Sequence, residues 1–252
     1  VSFVTKRGTT FHVQELGAGS PPVVMLHGLL IGNLASWYFT AAPALAHDRR
    51  VLLYDLRGHG KSQRAPSGYD LGTMAGDLEA LGEDLGEGPI DLVGHSFGAL
   101  VALRFALDHP GRVRRLALVE APLPPSHFGD FEAFTQQTPA EMIAALPEGL
   151  QTFLGHGGRR AARLLDALHF LTQESSLFAD LRAEPDIPDA TLTRLACPTL
   201  CVYGSASSCR SVGERLARVI PGARLLVLPG GHYLHLDAAT ALTEALRGFL
   251  HG

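Results

Sequence analysis

Only three of the 252 residues are cysteine, Cys197, Cys201 and Cys209. Three thiols cannot all pair within one chain, and none stands at metal-ligand spacing from another Cys or His, so neither a disulfide scaffold nor a zinc module is indicated. Long apolar runs are missing as well. Stretches such as residues 21–26 and 116–119 fall far short of the roughly 20 residues that a membrane-crossing helix needs. The first residues lack a basic region followed by an apolar segment, and the sequence predicts a cytoplasmic protein with no membrane span. Basic blocks are absent: 21 Lys and Arg are scattered among 25 Asp and Glu, with a net charge of −4. That leaves no electrostatic footprint for nucleic acid. There is no internal repeat and no low-complexity tract. What is present, at 46% hydrophobic and 18% charged, suits one globular unit with a large core, or a core carrying an insertion.

Short apolar runs alternate with helical periodicity. Extended segments at residues 1–6 and 9–14 flank Arg7-Gly8 and read as an opening hairpin. Buried strands are expected at residues 22–26, 51–54, 90–93, 114–119, 198–203 and 224–228, and helices at 35–46, 69–85, 99–106, 212–219 and 238–250. Such alternation implies an α/β fold with a mostly parallel sheet covered on both faces. It breaks between residues 122 and 195, where apolar helical patterns at 131–135, 140–145, 150–154 and 161–171 are accompanied by no convincing strand. The expected organisation is a core domain of residues 1–121 and 196–252, with 122–195 inserted as a helical cap over the strand ends.

Gly94-His95-Ser96-Phe97-Gly98 follows the expected strand at 90–93 and opens directly into a helix. Small residues on both sides allow an elbow so sharp that the serine is forced into a strained backbone conformation and its hydroxyl is lifted into a cleft. The helix aims its first amides at the same place, where they can meet negative charge developing on a substrate oxygen. A bare Gly-x-Ser-x-Gly is a weak signal, but strand, turn and helix around it make it specific.

Three further pieces follow the same order: Leu26-His27-Gly28, Asp55-Leu56-Arg57-Gly58-His59-Gly60-Lys61-Ser62, and Gly230-Gly231-His232. Together with the elbow they resemble the α/β-hydrolase superfamily over nearly the whole chain, and more narrowly its small bacterial esterase, thioesterase and carbon–carbon hydrolase members with a helical cap. The resemblance implies an eight-stranded, mostly parallel sheet with helices on both faces. It makes Ser96 the nucleophile, His232 its general base, and the backbone N–H groups of Leu29 and Phe97 the oxyanion hole. No metal or organic cofactor is implied, and the partner is a small-molecule acyl substrate, free or carrier-bound.

One piece departs from the family pattern. The acid that orients the histidine usually follows the seventh strand, yet here that loop reads Gly204-Ser205-Ala206-Ser207-Ser208-Cys209-Arg210, with no carboxylate. A serine at the expected place, Ser207, cannot balance an imidazolium. Glu120 offers a replacement, because it ends the sixth strand, which the family's sheet order sets beside the elbow strand, about 4.8 Å away. A Ser96-His232-Glu120 triad is therefore expected, with the alternative that Glu120 is a solvated strand-end charge.

Other residues have bland readings. His27 and His59 are expected to organise loops; His95 can face core or cleft; His235 is the rival for general base. Asp55 reads as a loop-ordering group and Asp237 as a helix N-terminal acid. Asp189 and Glu214 are reserve acids should Glu120 fail. Trp37, Phe105 and the cap's Phe128, Phe131, Phe134, Phe153 and Phe170 are mainly packing residues, some of which can face an acyl pocket. Arg159, Arg160 and Arg163 form a solvated helix face or a contact for an anionic carrier. The leading expectation is a serine hydrolase that cleaves an ester or thioester of an apolar acyl group through an acyl-serine. A carbon–carbon hydrolase or lyase, and a decayed ligand-binding module, remain as alternatives.

Overall fold

A turn at Arg7-Gly8, both with positive φ (49° and 76°), folds strand β1 (Ser2–Lys6) back on β2 (Thr9–Leu16). Arg7 tolerates that conformation at some cost and Gly8 at almost none. In this computed structural model, which describes residues 2–86, 88–123, 137–146, 151 and 158–252, β2 pairs antiparallel with β4 (Val51–Tyr54). The remaining strands are parallel: β3 (Val23–Leu26), β5 (Ile90–His95), β6 (Val113–Val119), β7 (Thr199–Gly204) and β8 (Arg224–Leu228). The eight strands stand in the order β1-β2-β4-β3-β5-β6-β7-β8, the α/β architecture expected from the alternation.

Both faces of the central strands are buried, because alternate side chains enter different apolar layers. Val23 and Met25 pack in one layer with Trp37, Leu45, Leu246 and Phe249, while Val24 and Leu26 pack in the other with Leu78, Leu100 and Leu103. The second layer belongs to α3 (Leu71–Gly82), α4 (Phe97–Asp108) and α9 (Arg210–Val219). Helix α3 begins where Asp70 accepts the Thr73 N–H at 2.8 Å and runs into a 3-10 turn at Glu83–Leu85, inside the expected span.

The helix expected over residues 35–46 is two helices, α1 (Ala35–Tyr38) and α2 (Ala41–Leu45). Pro43 is the reason. A continuous helix would set its ring against the Phe39 carbonyl and leave that carbonyl without a donor, so the chain breaks and restarts with Pro43 in the first turn of α2. Similarly, the last expected helix is α11 (Ala239–His251), preceded by a separate turn of helix, α10 (Leu234–Asp237), that periodicity did not reveal.

Between β6 and β7 the described residues contain α5 (Pro139–Ala144), α6 (Arg159–His169) with a π-helical turn at Phe170–Glu174, α7 (Leu177–Ala183) and α8 (Asp189–Leu192), and no strand. The pattern expected at 131–135, most of that at 150–154, and Phe128, Phe131, Phe134 and Phe153 lie outside the described residues. Helix α7 is tied to the start of α3: Asp180 accepts the Tyr69 N–H at 2.8 Å and Glu184 that of Leu71 at 2.9 Å. Leu168, Leu171 and Leu177 join the same apolar layer as α4. No helix among the described residues is long and apolar enough to cross a membrane.

Candidate active site

At the end of β5 the chain passes through Ser96 at φ 54° and ψ −124°, then enters α4 at Phe97. Glycine is required on both sides. A Cβ on Gly94 would lie 2.4 Å from the Ala99 Cα, and one on Gly98 would lie 2.4 Å from the His27 carbonyl oxygen. Ser96 is one of four non-glycine residues with positive φ among those described. Two of the others, Leu30 (64°) and Glu120 (56°), also border the site. Such conformations cost about 1–3 kcal/mol each and persist only where surrounding structure holds them.

The Ser96 hydroxyl lies 3.0 Å from His232 Nε2, and His232 Nδ1 lies 3.2 Å from Glu120 Oε2. Sheet order makes this meeting possible. Strand β6 runs between β5 and β7, so a side chain leaving its end stands between the elbow and the loop after β7. Register pins it, with Ser96 N–H donating to the Val119 carbonyl (2.8 Å) and Glu120 N–H to that of Val202 (2.9 Å). Glu120 is fully buried, and its carboxylate is held on every side: Oε1 accepts the Gly204 N–H at 2.5 Å and Oε2 accepts the Ser207 hydroxyl. It is no solvated strand-end charge.

The loop bearing Leu29 reaches the elbow from β3. A Cβ on Gly28 would lie 3.1 Å from that of Ser96, so this backbone runs alongside the serine. Two buried histidines shape it. His27 accepts the Leu56 N–H on Nε2 (2.9 Å) and donates from Nδ1 to the Gly28 carbonyl (2.7 Å). His59 accepts the Leu30 N–H on Nε2 (2.9 Å) and donates from Nδ1 to the Arg57 carbonyl (2.8 Å). Accepting a backbone N–H requires a neutral ring, and burial supplies that by lowering both pKa values, His59 to about 3. Asp55 accepts the Leu34 and Lys61 N–H groups at 2.7 and 2.8 Å, in keeping with a loop-ordering role. Beside Ser96 opens a cavity of about 450 Å³, bounded by Leu29, Leu30, Ile31, Leu146, His232 and Tyr233 among others.

A sequence profile described as the alpha/beta hydrolase fold matches residues 21–153, more than half of the chain. The chain belongs to the α/β-hydrolase family. The RutD protein of Klebsiella pneumoniae, a carbamate hydrolase by name, is 33% identical to this α/β-hydrolase over 250 residues, 91% of each chain. A hydrolase of Pseudomonas aeruginosa PA01 superposes with a TM-score of 0.80 at 28% identity, covering 100% of this chain and 98% of the other. A thermophilic esterase from Thermogutta terrifontis matches with the same score, identity and coverage.

Several secondary expectations for this α/β-hydrolase resolve. His235 makes no bond to Ser96; its ring meets that of His95 edge-on at 4.8 Å, and burial lowers its pKa to about 4. His95 is buried at the cavity wall and donates from Nε2 to the His232 carbonyl at 2.8 Å. Asp237 does not serve free amides at a helix start. It closes α10 and accepts the Gly231 N–H at 2.8 Å, pinning the turn that carries His232. Asp189 and Glu214 are spent on surface pairs with Arg215 and Arg210. Trp37 is a core residue whose indole donates to the Leu26 carbonyl at 2.9 Å, Phe105 packs from α4 into the core, and Phe170 lies under the Arg64 guanidinium. Arg159, Arg160 and Arg163 occupy an exposed face of α6.

Two contributors escaped the sequence reading. Ser207 stands where an acid was expected and serves as a donor to Glu120; Cys209 comes up beside His232 and Glu120. Burial pulls the His232 pKa down, but Cys209 and then Glu120 more than offset this and raise it to about 9. The position of Cys209 in the acid-free loop was the only signal available.

Proposed function

We propose that this α/β-hydrolase is a serine hydrolase that cleaves a carboxylic ester or thioester of an apolar acyl group through an acyl-serine intermediate. The observation that carries this reading is the continuous relay Ser96–His232–Glu120 at the wall of a largely apolar cavity. His232 Nε2 takes the Ser96 proton as the oxygen attacks the carbonyl carbon, and Glu120 holds the Nδ1–H tautomer and balances the imidazolium. The oxyanion is received by the backbone N–H groups of Phe97, the first residue of α4, and Leu29. His232 then protonates the leaving alcohol or thiol, and a water activated by the same nitrogen releases the acid.

A cavity of about 450 Å³ is of the size that encloses a small organic ligand, and its Leu29, Leu30, Ile31 and Leu146 walls favour an unbranched or modestly bulky acyl chain. Leu146 belongs to the segment 122–195, which we read as a cap over a core of residues 1–121 and 196–252. The likeness to an esterase at 28% identity agrees with ester chemistry.

A fluorophosphonate probe should label the purified wild type and leave Ser96→Ala unlabelled. On a panel of p-nitrophenyl esters, activity should peak at medium acyl length. Absence of labelling in folded wild type overturns the assignment, and turnover restricted to small polar esters overturns the substrate class.

A further inference from the structure

Among the described residues one grouping of three metal-ligating side chains occurs: Glu120, Cys209 and His232, whose ligand atoms all lie within 4.8 Å of one another. Nδ1 and the carboxylate are already 3.2 Å apart. Ligands of a tetrahedral zinc ion, with Zn–N near 2.1 Å and Zn–S near 2.3 Å, sit about 3.5 Å from each other. Closing the set therefore takes about 1 Å of adjustment. Soft sulfur, imidazole nitrogen and one carboxylate make a donor set suited to zinc or cadmium and poorly suited to magnesium or calcium, which prefer oxygen alone. Glu120 is buried and tied to Gly204 and Ser207, so one ligand is pre-positioned. Cys209 is partly exposed, and both His232 and the neighbouring Ser208 line the cavity, which provides an entry path.

We propose that Cys209 Sγ, His232 Nδ1 and Glu120 form a binding site for a thiophilic divalent cation, and that its occupation switches hydrolysis off. The binding half stands on geometry; the switching half rests on the reading of His232 as general base. The chemistry is a ligand exchange at one ring. Where the metal-free imidazole is neutral, it carries its proton on Nδ1, donated to Glu120, and presents Nε2 as acceptor to Ser96. The cation takes the Nδ1 lone pair, that proton's place passes to Nε2, and the thiol loses its proton to solvent. With Nε2 protonated the imidazole can no longer accept from Ser96. The thiolate and the Glu120 carboxylate together balance the two positive charges. Removing the cation restores the original tautomer.

The test compares metal-stripped wild type with Cys209→Ser, and with Cys209→Ala should the serine variant fold poorly by circular dichroism. Cadmium titration is followed by the ultraviolet thiolate-to-metal absorption band, and zinc inhibition by ester hydrolysis before and after chelator. Expected are a band saturating at one equivalent in wild type and absent from the variant, and zinc inhibition that the chelator reverses. The inhibitory zinc concentration should rise by about tenfold or more in the variant, the scale on which loss of a metal-site partner acts. Magnesium should not inhibit. No band in wild type, equal zinc sensitivity in the variant, or a full band with undiminished hydrolysis overturns the proposal. Fluorophosphonate labelling of the metal-free wild type separates the two readings. If it fails while the cadmium band appears, the catalytic reading and the switch fall and the binding site stands.

Discussion

Glu120 gathers three donors onto one buried carboxylate, from Gly204, Ser207 and the histidine it faces. Glu120→Gln keeps the shape but offers an amide where Nδ1–H needs an acceptor, and turnover should drop by about 10²–10⁴-fold with a normal far-ultraviolet spectrum. Near-normal kcat in that variant would sink the assignment. Ser207→Ala removes a bond to a charged, buried oxygen and should cost about 1.5–3 kcal/mol in urea unfolding, with a smaller loss of turnover than Glu120→Gln. An unfolding free energy equal to wild type would refute a holding role for Ser207. The pH profile has a definite sign. His232 accepts a proton only when neutral, and its pKa is raised to about 9, so kcat/KM should climb from neutral pH, reach half its plateau near pH 9 and level off above it. Because Cys209 and Glu120 are what raise it against burial, Glu120→Gln should move that limb to lower pH. At this scale the pair that meets at the site was legible, since motif and context named Ser96 and His232. Ser207 and Cys209 were not, because a hydroxyl or thiol has no sequence mark that distinguishes a donor to a distant carboxylate from a loop residue.

The elbow is an element whose geometry depends on two missing Cβ atoms. Gly98→Ala would drive a methyl to within 2.4 Å of the His27 carbonyl oxygen, a backbone atom that cannot yield without moving the loop bearing Leu29. Fluorophosphonate labelling should be lost and stability should fall by about 1–3 kcal/mol, the usual cost of overpacking; full labelling would show that the loop can give way. Elements with a strong local pattern were readable: the buried strands, the hairpin at Arg7-Gly8 and the long helices appear within a few residues of their expected bounds. The failure at residues 35–46 has a local cause in Pro43, a signal present in the chain and outweighed by apolar spacing. Helix α10 had no comparable signal. Four residues are too few to show a period, and the turn is stabilised by the packing of Leu234 and by the turn that Asp237 pins.

Across the whole molecule, the end of the sheet remote from Ser96 is held by a buried charge cluster. Asp91, fully buried at the start of β5, pairs with Arg49 and with Arg114 (2.8 Å from Nε), and both guanidinium groups also donate to the Leu250 carbonyl near the end of α11. The cluster ties β5, β6 and the last helix together and places cations at a helix C-terminus, where the dipole favours them. Asp91→Ala would strand the buried Arg49 and should lower the unfolding free energy by about 3–5 kcal/mol, measured by urea titration. A change under 1 kcal/mol, on the scale of an exposed pair, would show that the cluster is solvated in solution.

The sequence by itself determined the α/β layering, the elbow at Ser96, the histidine after Gly230-Gly231 and the want of an acid after β7, because each is written in local periodicity or in contiguous residue types. Tertiary structure decided between the two placements the sequence left open for Glu120, buried against His232 or solvated at the strand end. Only strand order and register bring a residue at the end of β6 between the elbow and the loop of Ser207, and only the pairing of β7 with β8 sets Cys209 beside His232. Contacts between residues some ninety positions apart carry no local signature; they follow from which strands become neighbours.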